Sequence, residues 1–171
     1  MGAYILVSKL LILCVLQGIV FSLILIATPL DVFRSWGMGS CYGLFGQKQC
    51  GVFGGAVLST SWGCARRQTL MDVAAAFAII SILSSFSAAI MSVMSYFRMV
   101  LLRLSLFIIH LFICITLLIT WACIASVYHE AMCWAGSGLG ATHHYGPAFV
   151  MTVCAWVVQV FTVLLSANLH F

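Results

Sequence analysis

Charged residues stand as fences around four uncharged apolar stretches, and that spacing is what most narrows the folds open to this chain. Lys9 and Asp31 bound Leu10 to Leu30, and Asp72 and Arg98 bound Val73 to Phe97. Arg103 and Glu130 bound Leu104 to Tyr128, with His110 inside, and a fourth stretch runs from Pro147 to Leu169. A hydrocarbon core about 30 Å thick takes roughly 20 helical residues, so each stretch is long enough to cross with some tilt. Only 6% of residues are charged, against about 25% in a soluble domain, which leaves a water-soluble fold almost nothing polar to show to solvent. The expected fold is an all-α membrane protein, one domain over 1–171, with helices at about 10–30, 73–97, 104–128 and 147–169. Loops 31–72 and 129–146 then share one face, and the termini share the other.

Counting basic residues does not orient the bundle, because Lys9, Arg98 and Arg103 oppose Arg34, Lys48, Arg66 and Arg67. The cysteines orient it. Cys14, Cys114, Cys123 and Cys154 lie in the spans, where a thiol behaves as a small hydrophobe. Cys41, Cys50, Cys64 and Cys133 all fall in the two loops of one face. Disulfides persist in oxidising compartments, so this face is expected to be extracellular at a plasma membrane, with both termini cytosolic. Four loop cysteines permit three pairings. Cys41 with Cys50 closes a short loop and is the first choice, and Cys64 with Cys133 would then tie the loops together.

Within the spans the polar residues are Gln17, His110 and Gln159 besides hydroxyls, and no Asp or Glu is present. That removes the usual carriers of proton coupling. Gln17 and Gln159 are expected to bond across the first and fourth helices, and His110 to be a buried, hydrogen-bonded histidine. The second span carries small residues at i, i+4 spacing: Ala74 with Ala78, Ser81 with Ser85 and Ala89, and Ser84 with Ala88 and Ser92. Such strips predict packing seams between helices.

In the first loop, Ser40 to Phe45 and Cys50 to Thr60 read as short strands around a turn at Gly46 to Gln49. The second loop holds His129, Glu130, Cys133, His143 and His144, ligand types for zinc or copper, in a spacing that matches no metal signature. No metal or other cofactor is therefore expected. The chain has no nucleophile elbow, phosphate loop or paired carboxylates, so an enzyme is not expected either. Net charge is +4, but Arg66 and Arg67 adjoin the second span as interfacial anchors, and no basic stripe suited to nucleic acid exists.

Ala27-Thr28-Pro29-Leu30-Asp31-Val32-Phe33-Arg34 resembles the Thr-Pro-apolar-Asp-apolar-Phe-Arg element of the amastins, small surface proteins of trypanosomatid parasites. Cys41 to Cys50, including Gly43 and Gly46, is similar to their Cys-flanked signature. Cys64-Ala65-Arg66-Arg67 with Ala76 to Ile82 resembles the family's second-helix start, and Tyr145-Gly146-Pro147-Ala148-Phe149 its fourth. Gly43 stands where the pattern has Thr or Ser, Phe45 where Trp is commoner, and the interval between the cysteines is one residue shorter. No Asn-x-Ser/Thr sequon is present, since Asn168 precedes Leu169 and His170.

The amastins in turn resemble claudins in having four helices and a longer first extracellular loop with a Gly-Leu-Trp-like turn and a cysteine pair. Gly43-Leu44-Phe45 fits that turn. The resemblance implies a claudin-like bundle with a small extracellular β-containing cap, set at the parasite and host interface. The function expected is non-enzymatic surface contact or membrane organisation. Leu44 and Phe45 would supply exposed apolar contact with an unknown surface protein or lipid, or anchor in the bilayer, and a second copy of the chain is a further candidate partner. The alternative is a channel with Asp31, Lys48, Arg66 and Arg67 at its mouth.

Overall fold

The computed structural model describes residues 2–37, 41–50, 57–60, 62–98, 103–133 and 139–170. Its helices are α1 (Gly2–Ala27), α2 (Ala65–Arg98), α3 (Arg103–His129) and α4 (Pro147–His170). Each contains a stretch long and apolar enough to cross a membrane. In hydrocarbon no water serves an exposed N–H or C=O, so a chain this apolar closes its backbone bonds within helices.

Helix α1 stops at Ala27 rather than Leu30 because Pro29 has no N–H to continue the ladder. Thr28 fills the gap, donating from its backbone N and its Oγ1 to the Ile24 carbonyl at 3.1 and 2.8 Å. Helix α2 starts at Ala65, earlier than the expected Val73, so Arg66, Arg67 and Asp72 ride on the helix. Its 34 residues extend about 50 Å, well beyond a hydrocarbon core. The projecting part is a post for the cap.

The helices form a ring in which α1 and α3 each pack against α2 and α4. The face that α2 buries carries Ala74, Ala78, Ser81, Ser85, Ala88 and Ser92. The steps alternate between four and three, so one continuous seam replaces the separate i, i+4 strips, and Ser84 and Ala89 are only half-buried. Ser81 Oγ donates to the Phe77 carbonyl and lies 2.9 Å from Thr116 Oγ1 of α3. Gln17 and Gln159 do not bond α1 to α4. Gln17 Nε2 reaches the Ser85 carbonyl of α2 at 3.5 Å, and Gln159 Nε2 donates to the His110 carbonyl of α3 at 3.0 Å. The α1–α2 and α3–α4 contacts thus each gain an amide-to-carbonyl bond, and the α2–α3 contact has the Ser81–Thr116 hydroxyl pair. His110 is buried as expected, though its ring nitrogens meet no hydrogen-bond partner among the described residues.

Above the bundle lies an antiparallel sheet of β1 (Asp31–Ser35), β2 (Cys41–Gly43), β3 (Gly46–Lys48), β4 (Val57–Ser59) and β5 (His143–Tyr145), in the order β4-β3-β2-β1-β5. Four strands come from the first loop and β5 from the second. The β2–β3 turn is Leu44-Phe45, not Gly46 to Gln49. Gly46 already lies in β3 at φ 140°, and a Cβ there would run into the Ser59 carbonyl of the neighbouring strand. Ser40 and residues 51–56, parts of the two expected strands, lie outside the described residues. A bulge between Asp31 and Phe33 breaks the alternation of β1, so Asp31, Val32 and Phe33 are all buried.

A larger residue on the α2 seam has nowhere to go. Ser85→Leu is expected to destabilise the bundle by about 1–3 kcal/mol, whereas Ser87→Leu, on the exposed face, should leave it unchanged. Thermal unfolding in detergent reads the difference, and equal melting of both variants would remove the seam.

Candidate functional site

The residues that carried the family resemblance gather where α1 hands over to the sheet. Asp31 opens β1 with 3% of its surface exposed, and Lys48, two strands away on β3, has 4%. Lys48 reaches across β2 at Gly43, where an added Cβ would meet the lysine stem at 3.4 Å. That is ordinary van der Waals contact, so the lysine stem lies directly over Gly43. Lys48 Nζ then lies 3.0 Å from Asp31 Oδ1 and donates to the Pro29 carbonyl. Arg34 Nε donates to Asp31 Oδ2 at 3.0 Å, with its side chain partly in solvent.

Burial alone would raise the Asp31 carboxyl, but the hydrogen bonds and charges of Lys48 and Arg34 outweigh it and hold the group below its ordinary 3.8. The lowered value means that this pairing stabilises the fold in full above pH 3.8 and is lost as pH falls through the folded value beneath it.

Gly146 is the other fixed point. Its N–H donates to the Val32 carbonyl at 2.7 Å, and a Cβ there would strike the Asp31 carbonyl, so only glycine lets the start of α4 lie against β1. Phe33 is fully buried between Trp62, Tyr128 and Tyr145, with ring centroids 6.1 to 6.4 Å away. Tyr145 stacks on both Tyr128 and Phe149 at 4.0 Å. Two disulfides close the cap. Cys41–Cys50 spans the β2–β3 hairpin and Cys64–Cys133 ties the start of α2 to the second loop, with Cα atoms 5.1 and 6.0 Å apart.

Two sequence expectations change here. Leu44 is not an exposed contact: it is 6% exposed and belongs to the core with Val32, Phe33 and Trp62. The tight turn points its two residues apart, so Phe45 alone remains outside, at 45%. The charges proposed for a channel mouth do not converge either. Asp31 and Lys48 are buried against each other, while Arg66 lies 3.9 Å from Glu130 and Arg67 Nη1 3.5 Å from the Trp62 carbonyl. Among the described residues no group of three His, Cys, Asp or Glu could hold a metal ion. His129 lies against Tyr128, His143 against Tyr42 and His144 against Trp36, three separate ring contacts.

Beside the ion cluster a groove of about 440 Å³ opens between the sheet and the helices, lined by Leu25, Pro29, Phe45, Val57, Ile82 and the Lys48 stem among others. Sequence reading had no signal for Val57 or Ile82, which come from segments far apart and meet only when the cap seats. Phe45 was visible from its place in the turn.

The family model described as Amastin surface glycoprotein matches residues 18–165. No curated protein matches the chain.

Removing Lys48 leaves a buried carboxylate short of its main partner, so Lys48→Ala should cost about 3–5 kcal/mol, and Arg34→Ala about 1 kcal/mol or less. The difference in melting temperature between wild type and Asp31→Asn should hold steady from neutral pH to about 4 and shrink below 3.8. A difference that begins to shrink above pH 5 would contradict the assignment. For the hairpin, Cys41→Ser, Cys50→Ser and the double variant should each lose a similar ~2–4 kcal/mol, and mass spectrometry that finds both thiols free in folded protein would remove the bond.

Proposed function

The chain belongs to the amastin surface glycoprotein family, and on that premise we propose that it is a non-enzymatic organiser of the cell-surface membrane, with the cap outside and both termini in the cytosol. It is a multi-pass surface membrane protein. The single observation that carries the finer reading is that Phe45 and Val57 of the cap line one groove with Leu25 and Ile82 of the spans. Residues on α1 and α2 at that point belong to helices that cross hydrocarbon, so the apolar edge of the cap is level with the outer leaflet and anchors in it. The cap can do this without deforming, because sheet, disulfides and ion cluster fix it to the bundle.

Trp36 lies at the other end of β1, roughly 17 Å along the strand from Asp31, and is 72% exposed. A large aromatic at the distal end suits contact with an opposing surface, the second half of the role that the resemblance implies at the parasite and host interface. The channel alternative draws less support. Its charged residues are engaged or dispersed, and the enclosed space lined by Leu117, Thr120, Ile124 and Thr152 measures about 10 Å³, close to a single water.

In a variant whose span cysteines are replaced by Ala, a nitroxide at Phe45→Cys in liposomes should be relaxed by oxygen dissolved in lipid, and one at Trp36→Cys by an aqueous nickel complex. Phe45→Ser with Val57→Ser should weaken membrane anchoring of the cap and leave ion flux at background. A water-relaxed label at 45 would defeat the leaflet reading. Reproducible flux from pure protein that changes with Arg66→Glu and Arg67→Glu, and not with the apolar pair, would establish the channel instead.

A further inference from the structure

The groove beside the cap is built from two kinds of surface. Leu25 and Ile82 form the helix side, Phe45 and Val57 the sheet side, and Gly43 and Gly46 leave its floor without side chains. Its volume of about 440 Å³ lies within the roughly 300–1,000 Å³ of sites that hold small molecules. The helix side continues without a break into the exposed apolar faces of α1 and α2, where Ile26, Ile79 and Leu83 lie open. The groove is therefore continuous with the surface that the bilayer already covers.

Its two polar side chains are already engaged within the protein. Thr28 Oγ1 donates back to the Ile24 carbonyl, and Lys48 Nζ is held by Asp31 and the Pro29 carbonyl. A peptide or a headgroup laid in such a groove would lose its own hydrogen bonds to water and gain few in return, whereas hydrocarbon loses none. Lys48 is also the one cation among the lining residues, and the Asp31 carboxylate answers its charge.

We infer that this groove is a binding site for one acyl chain of a phospholipid in the cap-side leaflet, held without preference for headgroup charge. The inference rests on the reading that Phe45 faces the leaflet, and adds to it a discrete, saturable site. A flexible chain enters from the open helix side at the level of Leu25 and passes beneath the hairpin turn against Phe45 and Val57. The bound lipid then seats the cap on the bundle at the flank where this groove separates sheet from helices.

The test uses the full chain in phosphatidylcholine liposomes containing a phosphatidylcholine with a photoactivatable diazirine on its acyl chain. Cross-links should concentrate at Leu25, Phe45 and Val57, saturate at one per chain, and be competed equally by unlabelled phosphatidylcholine and phosphatidylserine. Val57→Trp, from an exposed strand edge, should fill the groove and remove the saturable cross-links without lowering the melting temperature. Leu25→Trp, on an exposed helix position, gives the same reading should the strand variant fold poorly. Cross-links that rise without saturation and spread evenly around all four helices would mean ordinary surrounding lipid and overturn the site. Displacement by a sterol but not by phospholipid, or a clear preference for the anionic lipid, would overturn the occupant proposed. A nitroxide at position 45 relaxed by oxygen, with no saturable cross-link, leaves the leaflet reading standing and removes this one; a label relaxed by aqueous nickel removes both.

Discussion

A carboxylate buried where a membrane helix meets a sheet has to be neutralised, and the cap is arranged around how that is done. Asp31 follows directly on the Pro29 stop of α1, so its place is set before any sheet forms. Answering it from the same strand, Arg34 is partly solvated and supplies only part of the compensation. The remainder comes from Lys48 on β3, which reaches the carboxylate across β2. A single buried charge thus ties β3 to the end of α1 and seats the hairpin there. An unpaired charge here would cost far more than the pair contributes, which makes the cluster a device for specifying geometry more than for adding stability.

Below the cap the physics changes. Lipid chains are as apolar as the side chains facing them, so helices associate through close approach and through polar groups that find partners within the bundle. The seam on α2 supplies the first and the amides of Gln17 and Gln159 the second, each amide reaching a backbone carbonyl on an adjacent helix. Hydroxyls such as those of Ser92, Thr120, Thr152 and Thr162 bond carbonyls of their own helices, which keeps them satisfied in hydrocarbon. The bundle gives the cap a rigid base, and the cap gives the bundle its asymmetry. One end carries a sheet and two disulfides, with Trp36 and Phe45 exposed on it.

Legibility from sequence tracked how local each determinant was. The membrane spans were legible because their constraint, length without charge, is local to each segment. The cysteine pairs were legible as a choice among few, since all four lie in loops of one face. Gly46 reads locally as a turn residue, whereas its backbone freedom serves a close approach by Ser59 of another strand. Nothing in Gly43-Leu44-Phe45 says which of two neighbouring apolar residues faces the core, and only burial assigns Leu44 to it. Lys48 looked like a free loop charge, since its partner lies on a strand that is adjacent only after folding.

By itself, then, the sequence determined that four stretches are long and apolar enough to cross a bilayer and that both loops share one face. Each of these follows from composition. Tertiary structure alone decided that Lys48 crosses β2 to Asp31, that β5 from the second loop completes the first loop's sheet, that Leu44 is core while Phe45 is not, and that Leu25, Ile82, Phe45 and Val57 share a groove. Those are relations between segments far apart in the chain, and their energies exist only once burial has made an unpaired charge, or a Cβ in the wrong place, too costly to keep.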